Sequence, residues 1–378
     1  MNFVFTEEQK ELRAMARAFL AENSTAEHVR QVMTSDLGYD DKVWQRIGAE
    51  LGWPAIIVPE EYGGLGLSYV ELVALLECMG EALLCSPFFS SVCLGGNALL
   101  HGATEAQKQQ YLPQLAAGRL RVTLAMTEAN GLWNSKGIET TATRAGDEFV
   151  LSGSKRYVLD GHCADLLVVA ARAEGSEGHE GVSLFLVEPG SDGLDIEPLP
   201  TMDQTRRLAQ IELQDVRVPA SSLMGEEGEG IDALHKTLDL ASIALAAEQV
   251  GGAQRSLDLA VEYAKGREQF GRPIAGFQAI KHKCADMMVA VECARSAAYY
   301  AGCVAAEDSD EVPIAASLAK ATASEAFFRC AADSIQIHGG VGFTWEYDPH
   351  LYFKRAKSTE AFLGDPSYHR ERVAKHIL

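Results

Sequence analysis

Two carboxylates near the C-terminus, Glu360 and Asp365, are of the type that could remove a proton from a substrate. They lie in the stretch KSTEAFLGDPSYHR, residues 357–370, on either side of apolar residues and a glycine. A carboxylate acts as a general base most effectively when its pKa lies near the working pH. A structural role is the alternative for both. Glu360 fits the solvated or ion-paired face of a helix that ends at Gly364, and Asp365, before a proline, fits a cap or turn. We favour the structural role.

A third carboxylate, Glu248, lies in the apolar and Ala-rich stretch LDLASIALAAEQVGGAQ. Seven residues amount to nearly two helical turns, so a helix would place Glu248 on one face with Ala241, Leu245 and Gly252. A single carboxylate among small and apolar side chains would have a raised pKa, which suits a general base. The alternative is an ion pair with an Arg across a helical bundle or between subunits.

The composition limits the partners of this chain. Of its 378 residues, 47% are hydrophobic, and the formal net charge is −20. Nucleic acid and anionic membranes attract clustered Lys and Arg, so we expect neither as a partner. No apolar run reaches the roughly 20 residues that a membrane-spanning helix needs. A ligand that carries phosphate must therefore be bound by a few local cations.

The eight cysteines are scattered without a CxxC pair or a histidine at zinc-binding spacing. We therefore expect no metal site, and most of the cysteines should be core residues. No charged and then apolar leader precedes them, so we expect a protein of the reducing cytoplasm.

Hydrophobic periodicity divides the chain into the elements that must position these carboxylates. From Thr6 to about Gly118 the spacing is helical, with Gly/Pro breaks in GWPAIIVPEEYGGLG and helices expected at about 69–83 and 89–117. Between 121 and 225, short β-branched or aromatic segments such as EFVLSGSKRYVL and GVSLFLVE predict antiparallel strands.

Helical spacing returns after GEEGEGI and covers 231–265, 276–307 and 312–337. A chain of this length is expected to contain two or three packed units. We predict an α+β fold with an N-terminal α-helical domain (1–120), a central antiparallel β-domain (121–225) and a C-terminal four-helix bundle (226–378).

Two long segments carry a specific resemblance, FGRPIAGFQAIKHKCADM (270–287) and QIHGGVGFTWEYDPHLYFKRAK (336–357). With the order helix, sheet, helix, they make the chain resemble the acyl-CoA dehydrogenase family along nearly its whole length. The resemblance implies FAD bound between the sheet and the C-terminal bundle, and removal of two hydrogens from the α and β carbons of an acyl thioester. The flavin takes the hydride and a carboxylate takes the α proton.

The resemblance also implies which residues bind FAD. Arg267 would meet the pyrophosphate of a neighbouring subunit's FAD, because its donor fork fits phosphate oxygens. Helix capping is the alternative for Arg267, and a plain helix end is the alternative for the glycine pair below. The remaining residues expected at a neighbour's FAD are Gln269, Phe270, Gln278, Gln336, Gly339 and Gly340.

In the sheet, the resemblance implies that Thr127 and Leu159 also contact FAD. Thr127 stands in MTEANGLWNSKG, where Trp133 and Asn134 replace the small residues of the family's TEPGAGSD. Leu159 takes the place of a threonine that touches the reactive edge of the flavin. Leucine has no hydrogen bond to give at that position.

The family's usual base lies in a Tyr-Glu-Gly-Thr motif, and AFLGDPSYHR places Leu363 at that glutamate. A minority of the family carries the base on the first bundle helix, at a position that matches Ala241. Neither residue can take a proton. We therefore assign the catalytic base to Glu248, with the structural ion pair as its alternative.

Together these residues predict FAD-dependent α,β-dehydrogenation of an acyl-CoA with a bulky, branched or unusual acyl group, such as a steroid or aromatic side chain. The acceptor expected from the resemblance is electron-transferring flavoprotein, and the assembly a homotetramer or a heterotetramer. One alternative is a subunit of a heteromeric dehydrogenase that lacks a complete site alone. Others are a flavin-dependent monooxygenase or oxidase on the same fold, and a non-enzymatic binding protein.

Overall fold

Eleven α-helices and ten strands form in residues 6–378, the part of the chain that the computed structural model describes. The helices are α1 (Glu7–Asn23), α2 (Ala26–Val32), α3 (Asp41–Ala49), α4 (Tyr69–Glu81), α5 (Asn97–Gly102), α6 (Glu105–Ala116), α7 (Ile231–Gly266), α8 (Gln278–Ala306), α9 (Val312–His338), α10 (Pro349–Ala361) and α11 (Pro366–Ile377). No helix in this part of the chain combines the length and apolarity needed to cross a bilayer.

The strands are β1 (Val122–Ala125), β2 (Thr141–Ala145), β3 (Glu148–Leu159), β4 (Leu166–Ala173), β5 (Val182–Val187), β6 (Leu194–Leu199), β7 (Leu208–Pro219), β8 (Leu223–Met224), β9 (Glu268–Gln269) and β10 (Arg272–Pro273). The first eight form one sheet, and β9 and β10 form a small hairpin. The sequence predicted this order of helical, sheet and helical regions, and the structure confirms it.

Packing groups these elements into two units that do not follow chain order. Within the described residues, one unit contains 6–31, Ser68–Leu84 and Ser242–Leu378, and the other contains Val32–Leu67 and Cys85–Ala241. We call them the bundle unit and the sheet unit. The N-terminal helices are therefore divided: α1 and α4 belong to the bundle unit, and α3, α5 and α6 to the sheet unit. The predicted domain limits at residues 120 and 225 divide the chain by sequence order, and they stay a prediction.

The bundle unit is built on long Ala-rich helices. α7, α8 and α9 begin and end within two residues of the predicted 231–265, 276–307 and 312–337. Its C-terminal part contains five helices, because the helical conformation is interrupted between α10 and α11 at residues 362–365.

Two glycines let α4 and α7 touch backbone to backbone. A Cβ atom on Gly80 would lie 1.9 Å from the Glu248 carbonyl oxygen, and one on Gly251 would lie 1.9 Å from the Glu77 carbonyl oxygen. No side chain fits at such a distance, so only glycine permits this approach. The contact fixes the part of α7 that carries Glu248.

In the sheet unit the strand order is β6-β7-β3-β2-β4-β5-β8, with β1 paired to β4. β1 and β2 run parallel to β4, and the other pairs are antiparallel. The sheet is therefore mixed, and not purely antiparallel as predicted. Its core contains the buried side chains of Phe149, Val169, Phe185 and Ile211.

The stretch 89–117 was predicted as one helix, and this was wrong. It consists of a π-helix, Phe89–Gly96, followed by α5 and α6. The backbone is extended at Ala103, and Thr104 with Gln107 forms a capping box that starts α6. Such a cap satisfies two helix-end N–H groups, which favours a new helix over a continuous one.

Candidate functional site

Glu248 lies inside the bundle unit and is paired with an arginine. The Arg355 Nη1 atom of α10 lies 2.7 Å from Glu248 Oε1, and both side chains are almost fully buried. An opposite charge at this distance favours the ionised carboxylate, against the effect expected of an apolar surrounding alone. This is the alternative that the sequence left open for Glu248. Its role as the base stays a prediction.

Arg355 was not among the site residues predicted from the sequence. It lies three residues after Tyr352 and four before Thr359, on the buried face of α10. A charged residue at an apolar position of a helix rarely stays buried without a partner. The apolar position of Arg355 on α10 could therefore have indicated from the sequence that it pairs with a buried carboxylate.

The two C-terminal carboxylates have structural roles, as the sequence indicated. Glu360 Oε2 lies 2.6 Å from Lys357 Nζ, one helical turn away on α10. Asp365 caps α11, because its Oδ1 atom accepts a hydrogen bond from the Tyr368 N–H at 2.7 Å.

Leu363 lies in a loop whose backbone carbonyls accept three hydrogen bonds from two buried side chains. Its side chain is buried, and its φ of +62° lies in the left-handed region that leucine seldom adopts. The buried Lys320 Nζ donates to the carbonyls of Glu360 (3.2 Å) and Gly364 (3.0 Å), and the His369 Nε2–H donates to the Leu363 carbonyl (3.0 Å). Burial lowers the pKa of Lys320 to about 7 and that of His369 to about 3. The loop is thus rigidly placed and carries no proton acceptor at residue 363.

Ala241, the position of the alternative base, is fully buried. It likewise has no ionisable group. Neither of the two positions that the resemblance gives for a base therefore carries a side chain that can accept a proton.

A cleft of about 530 Å³ in the bundle unit brings together two of the predicted FAD residues. Arg267 and Gly340 line it, with Tyr263, His338, Tyr347, Gly266 and Val341. The His338 ring stacks on Tyr263 with centroids 4.2 Å apart, and the Tyr347 ring is edge-on to both. We call these three rings the aromatic wall. The His338 Nδ1–H donates to the Ser334 carbonyl at 2.7 Å, and burial lowers the pKa of His338.

This cleft fits the nucleotide end of FAD, which offers an anionic diphosphate and a purine ring. The Arg267 guanidinium is exposed and makes no hydrogen bond or ion pair within residues 6–378. A Cβ atom on Gly339 or Gly340 would meet nothing within 4 Å, so the backbone there is open to a ligand. An unpaired guanidinium beside open backbone suits phosphate, and aromatic faces suit a purine.

The other predicted residues of the bundle unit are exposed but do not line the cleft. Gln269 and Phe270 belong to the β9–β10 hairpin, where Phe270 has φ +55° and is 91% exposed. Gln278 begins α8, and Gln336 lies in the last turn of α9. The helix-capping alternative for Arg267 finds no support, because its side chain donates to no helix carbonyl in the described part of the chain.

In the sheet unit, Thr127 and Leu159 are both buried and lie on neighbouring segments. The Arg156 N–H donates to the Thr127 carbonyl at 2.7 Å, and the Thr123 hydroxyl donates to the Leu159 carbonyl at 2.7 Å. Of the two predicted flavin contacts, only Thr127 offers a side-chain hydrogen bond.

A buried ion pair fixes this part of the sheet. Lys155 Nζ lies 2.6 Å from Glu128 Oε1, and the same carboxylate oxygen accepts the Thr140 N–H at 2.9 Å. Burial lowers the pKa of Lys155 to about 8. Just beyond Lys155 the β3–β7 register shifts, and Tyr157 has φ +59°. The sequence did not predict this distortion of the strand end.

The residues that depart from the family pattern shape a separate turn. Asn134 Oδ1 accepts the Lys136 N–H at 3.0 Å and so caps the turn Ser135–Gly137. Trp133, just before it, is half-buried. Within residues 6–378 no group of three or more His, Cys, Asp and Glu side chains could hold a metal ion.

Comparison with known proteins gives one consistent family. Models of the acyl-CoA dehydrogenase N-terminal, middle and C-terminal domains match residues 6–119, 123–216 and 228–378. The chain is 34% identical to the probable acyl-CoA dehydrogenase YngJ of Bacillus subtilis, over 100% of both chains. It is 32% identical to CarC, a subunit of the caffeyl-CoA reductase-Etf complex of Acetobacterium woodii, over 99% of both chains.

Among solved structures, the chain resembles a chain of the ChsE4-ChsE5 complex of Mycobacterium tuberculosis, with a TM-score of 0.90 and 28% identity. The match covers 100% of this chain and 99% of that one. Fold, cleft and similarity over the full length agree. This chain belongs to the acyl-CoA dehydrogenase family of FAD-dependent flavoproteins, and it is an oxidoreductase that acts on acyl-CoA.

Proposed function

We propose that this chain is one of two dissimilar subunits of an acyl-CoA dehydrogenase, and that the other subunit supplies the carboxylate that removes the α proton. One observation carries the proposal. Leu363 and Ala241 occupy both positions that the resemblance gives for a base, and neither can accept a proton. The nearest substitute by sequence, Glu248, is held in a buried ion pair by Arg355.

The contribution of this chain would be to bind the cofactor. When bound, FAD accepts the hydride from the β carbon of the acyl group. Arg267 would hold the diphosphate by charge-assisted bonds, and the open backbone at Gly339 and Gly340 would let the nucleotide approach closely. Within the sheet unit, Thr127 would be the residue that donates a hydrogen bond to the flavin. The exposed Gln278 and Gln336 face outward, where a neighbouring subunit's FAD can reach them.

A two-chain relative supports this division of labour. The ChsE4-ChsE5 complex is named for two different chains, and this chain matches it over its full length. We infer a heterotetramer in which FAD lies between this chain and its neighbour. A homotetramer would contain no base at either family position.

The substrate we propose is an acyl-CoA with a bulky or ring-bearing acyl group. Leu363 removes a charge from the position of the family's usual base, which makes that position more compatible with an apolar acyl group. The relative CarC is named for caffeyl-CoA, whose acyl group carries an aromatic ring, and for its complex with Etf. An electron-transferring flavoprotein is accordingly the acceptor that we propose.

The test is to purify the chain alone and with the second dehydrogenase-like subunit, and to follow flavin absorbance after adding acyl-CoA. We expect the flavin to be reduced only in the two-chain assembly. Reduction at the same rate by this chain alone would refute the proposal. Oxygen consumption without an added acceptor would support the oxidase or monooxygenase alternative.

A further inference from the structure

A single arginine of the bundle unit, Arg30 on α2, holds the loop that precedes α10. Its Nε atom donates to the Trp345 carbonyl at 3.3 Å and its Nη2 atom to the Tyr347 carbonyl at 2.9 Å. Its Nη1 atom lies 2.6 Å from Asp348 Oδ1. Three groups of one guanidinium thus bind three residues of one short loop, Trp345–Asp348.

That loop carries one ring of the aromatic wall. The Tyr347 ring lies 6.1 Å from the Tyr263 ring and 5.9 Å from the His338 ring, edge-on to each. Tyr347 lines the same cleft as Arg267 and Gly340. The position of the Tyr347 ring therefore shapes the lining of the cleft that contains Arg267.

The loop makes few backbone hydrogen bonds of its own. Within it, the Tyr347 N–H reaches the Thr344 carbonyl at 3.3 Å, slightly beyond the usual N–H···O range. Trp345 is 58% exposed and Tyr347 is 37% exposed, and the Trp345 ring packs against His350 and Lys354 of α10 rather than against α2. The bonds from Arg30 are consequently the firm link between this loop and α2.

We propose that Arg30 is a positioning residue for FAD binding, because it fixes the aromatic wall of the cleft that contains Arg267 and Gly340. Its charge is already neutralised by Asp348, so Arg30 acts on the loop and not as a ligand of the diphosphate. The proposal rests on the assignment of this cleft to the nucleotide end of FAD. It does not depend on which subunit supplies the base.

The test compares Arg30→Ala with Arg30→Lys and with a matched control, Arg17→Ala. Arg17 also lies on an N-terminal helix of the bundle unit and pairs with Glu81 of α4 at 3.1 Å, but it makes no bond to the loop. Two quantities are measured on the FAD-containing assembly that the chain forms. One is amide hydrogen exchange over residues 343–348, and the other is the dissociation constant for FAD.

We expect Arg30→Ala to raise both the exchange rate of the loop and the FAD dissociation constant by at least about tenfold, the effect of losing a charged hydrogen bond. Arg30→Lys keeps the charge but not the fork, so it should restore part of each effect. Arg17→Ala should change neither quantity.

Two results would overturn the proposal. Unchanged exchange in Arg30→Ala would mean that Arg30 does not hold the loop, and faster exchange with unchanged FAD affinity would mean that the loop does not shape the site. If Arg30→Ala fails to fold, Asp348→Asn weakens the same contact. In that variant the exchange rate of the loop and the FAD dissociation constant must both rise. A base found within this chain would refute the two-subunit proposal and leave this test unaffected.

Discussion

Glu248 and Arg355 form a 2.7 Å ion pair that joins α7 to α10 where both side chains are almost fully buried. Glu248 was the best candidate base in the sequence because its neighbours there placed it alone among apolar side chains. The ion pair with Arg355 shows that it is not alone. It also ties the helix of the alternative base position to the helix that leads into the Leu363 loop.

Arg355→Ala should lower the free energy of unfolding by about 3–5 kcal/mol, because it leaves the Glu248 carboxylate buried without its partner. Replacing both residues by methionine should cost much less, since no charge is then buried. Chemical denaturation measures both. Arg370→Ala is the control, because Arg370 pairs with Glu325 at the surface and such pairs contribute about 1 kcal/mol or less. An equal loss in Arg355→Ala and Arg370→Ala would contradict the structural role.

Arg267→Ala should weaken FAD binding at least about tenfold, because a charge-assisted bond to phosphate is lost. The melting temperature of the apo-protein should stay unchanged, since the Arg267 side chain makes no bond within the described chain. Lys265→Ala, which removes one positive charge from the same helix end, is the control for long-range electrostatics. Unchanged FAD affinity with a lowered melting temperature would instead favour a capping role for Arg267.

Phe270→Gly should stabilise the apo-protein by up to about 1 kcal/mol, because glycine adopts the left-handed backbone of Phe270 without strain. Almost no apolar burial is lost, since the ring is 91% exposed. If Phe270 contacts a neighbour's FAD, the same variant should bind FAD more weakly. Thermal unfolding and an FAD titration give the two answers. A variant with lower stability and full FAD affinity would refute the cofactor role.

Acid should destabilise the protein through two buried histidines. Burial lowers the pKa of His369 to about 3 and that of His350 to about 4, from 6.5. Between these values and 6.5 the unfolded chain binds more protons than the native one, so stability is full above pH 6.5 and falls as the pH drops through this window. His369→Gln should reduce the slope of the unfolding free energy against pH by up to about 1.4 kcal/mol per pH unit. His376→Gln, exposed on the same helix, is the matched control for replacing a histidine of α11.

Local patterns in the sequence predicted the long helices well, because the period of α7, α8 and α9 is set by residues close in the chain. They did not predict β2 and β6. β6 is an edge strand whose apolar alternation covers only residues 194–197 before a proline, and β2 is short and largely polar, so each gives a weak strand signal. The division into two units was also missed. It depends on backbone contacts such as Gly80 with Glu248, which join residues far apart in the sequence.

The candidate site was predicted in part. Arg267 and Gly340 were selected from short motifs, and the structure brings them into one cleft. The aromatic wall and the Arg30 contact were not predicted, because the residues that meet there lie on α2, α7, α9 and the loop before α10. The pairing of Glu248 was one of two stated alternatives. Choosing between them required the register of α7 against α10, which no local pattern contains.

The most direct measurement is the rate at which acyl-CoA reduces flavin in this chain purified alone and loaded with FAD, compared with the two-chain assembly. We expect reduction in the isolated chain to be slower by at least about 10²-fold, the low end of general base catalysis, since this chain carries no free carboxylate at either base position. Glu248→Gln should then leave the rate of the two-chain assembly unchanged. Equal rates in the isolated chain and the assembly, abolished together by Glu248→Gln, would contradict the two-subunit proposal and identify Glu248 as the base.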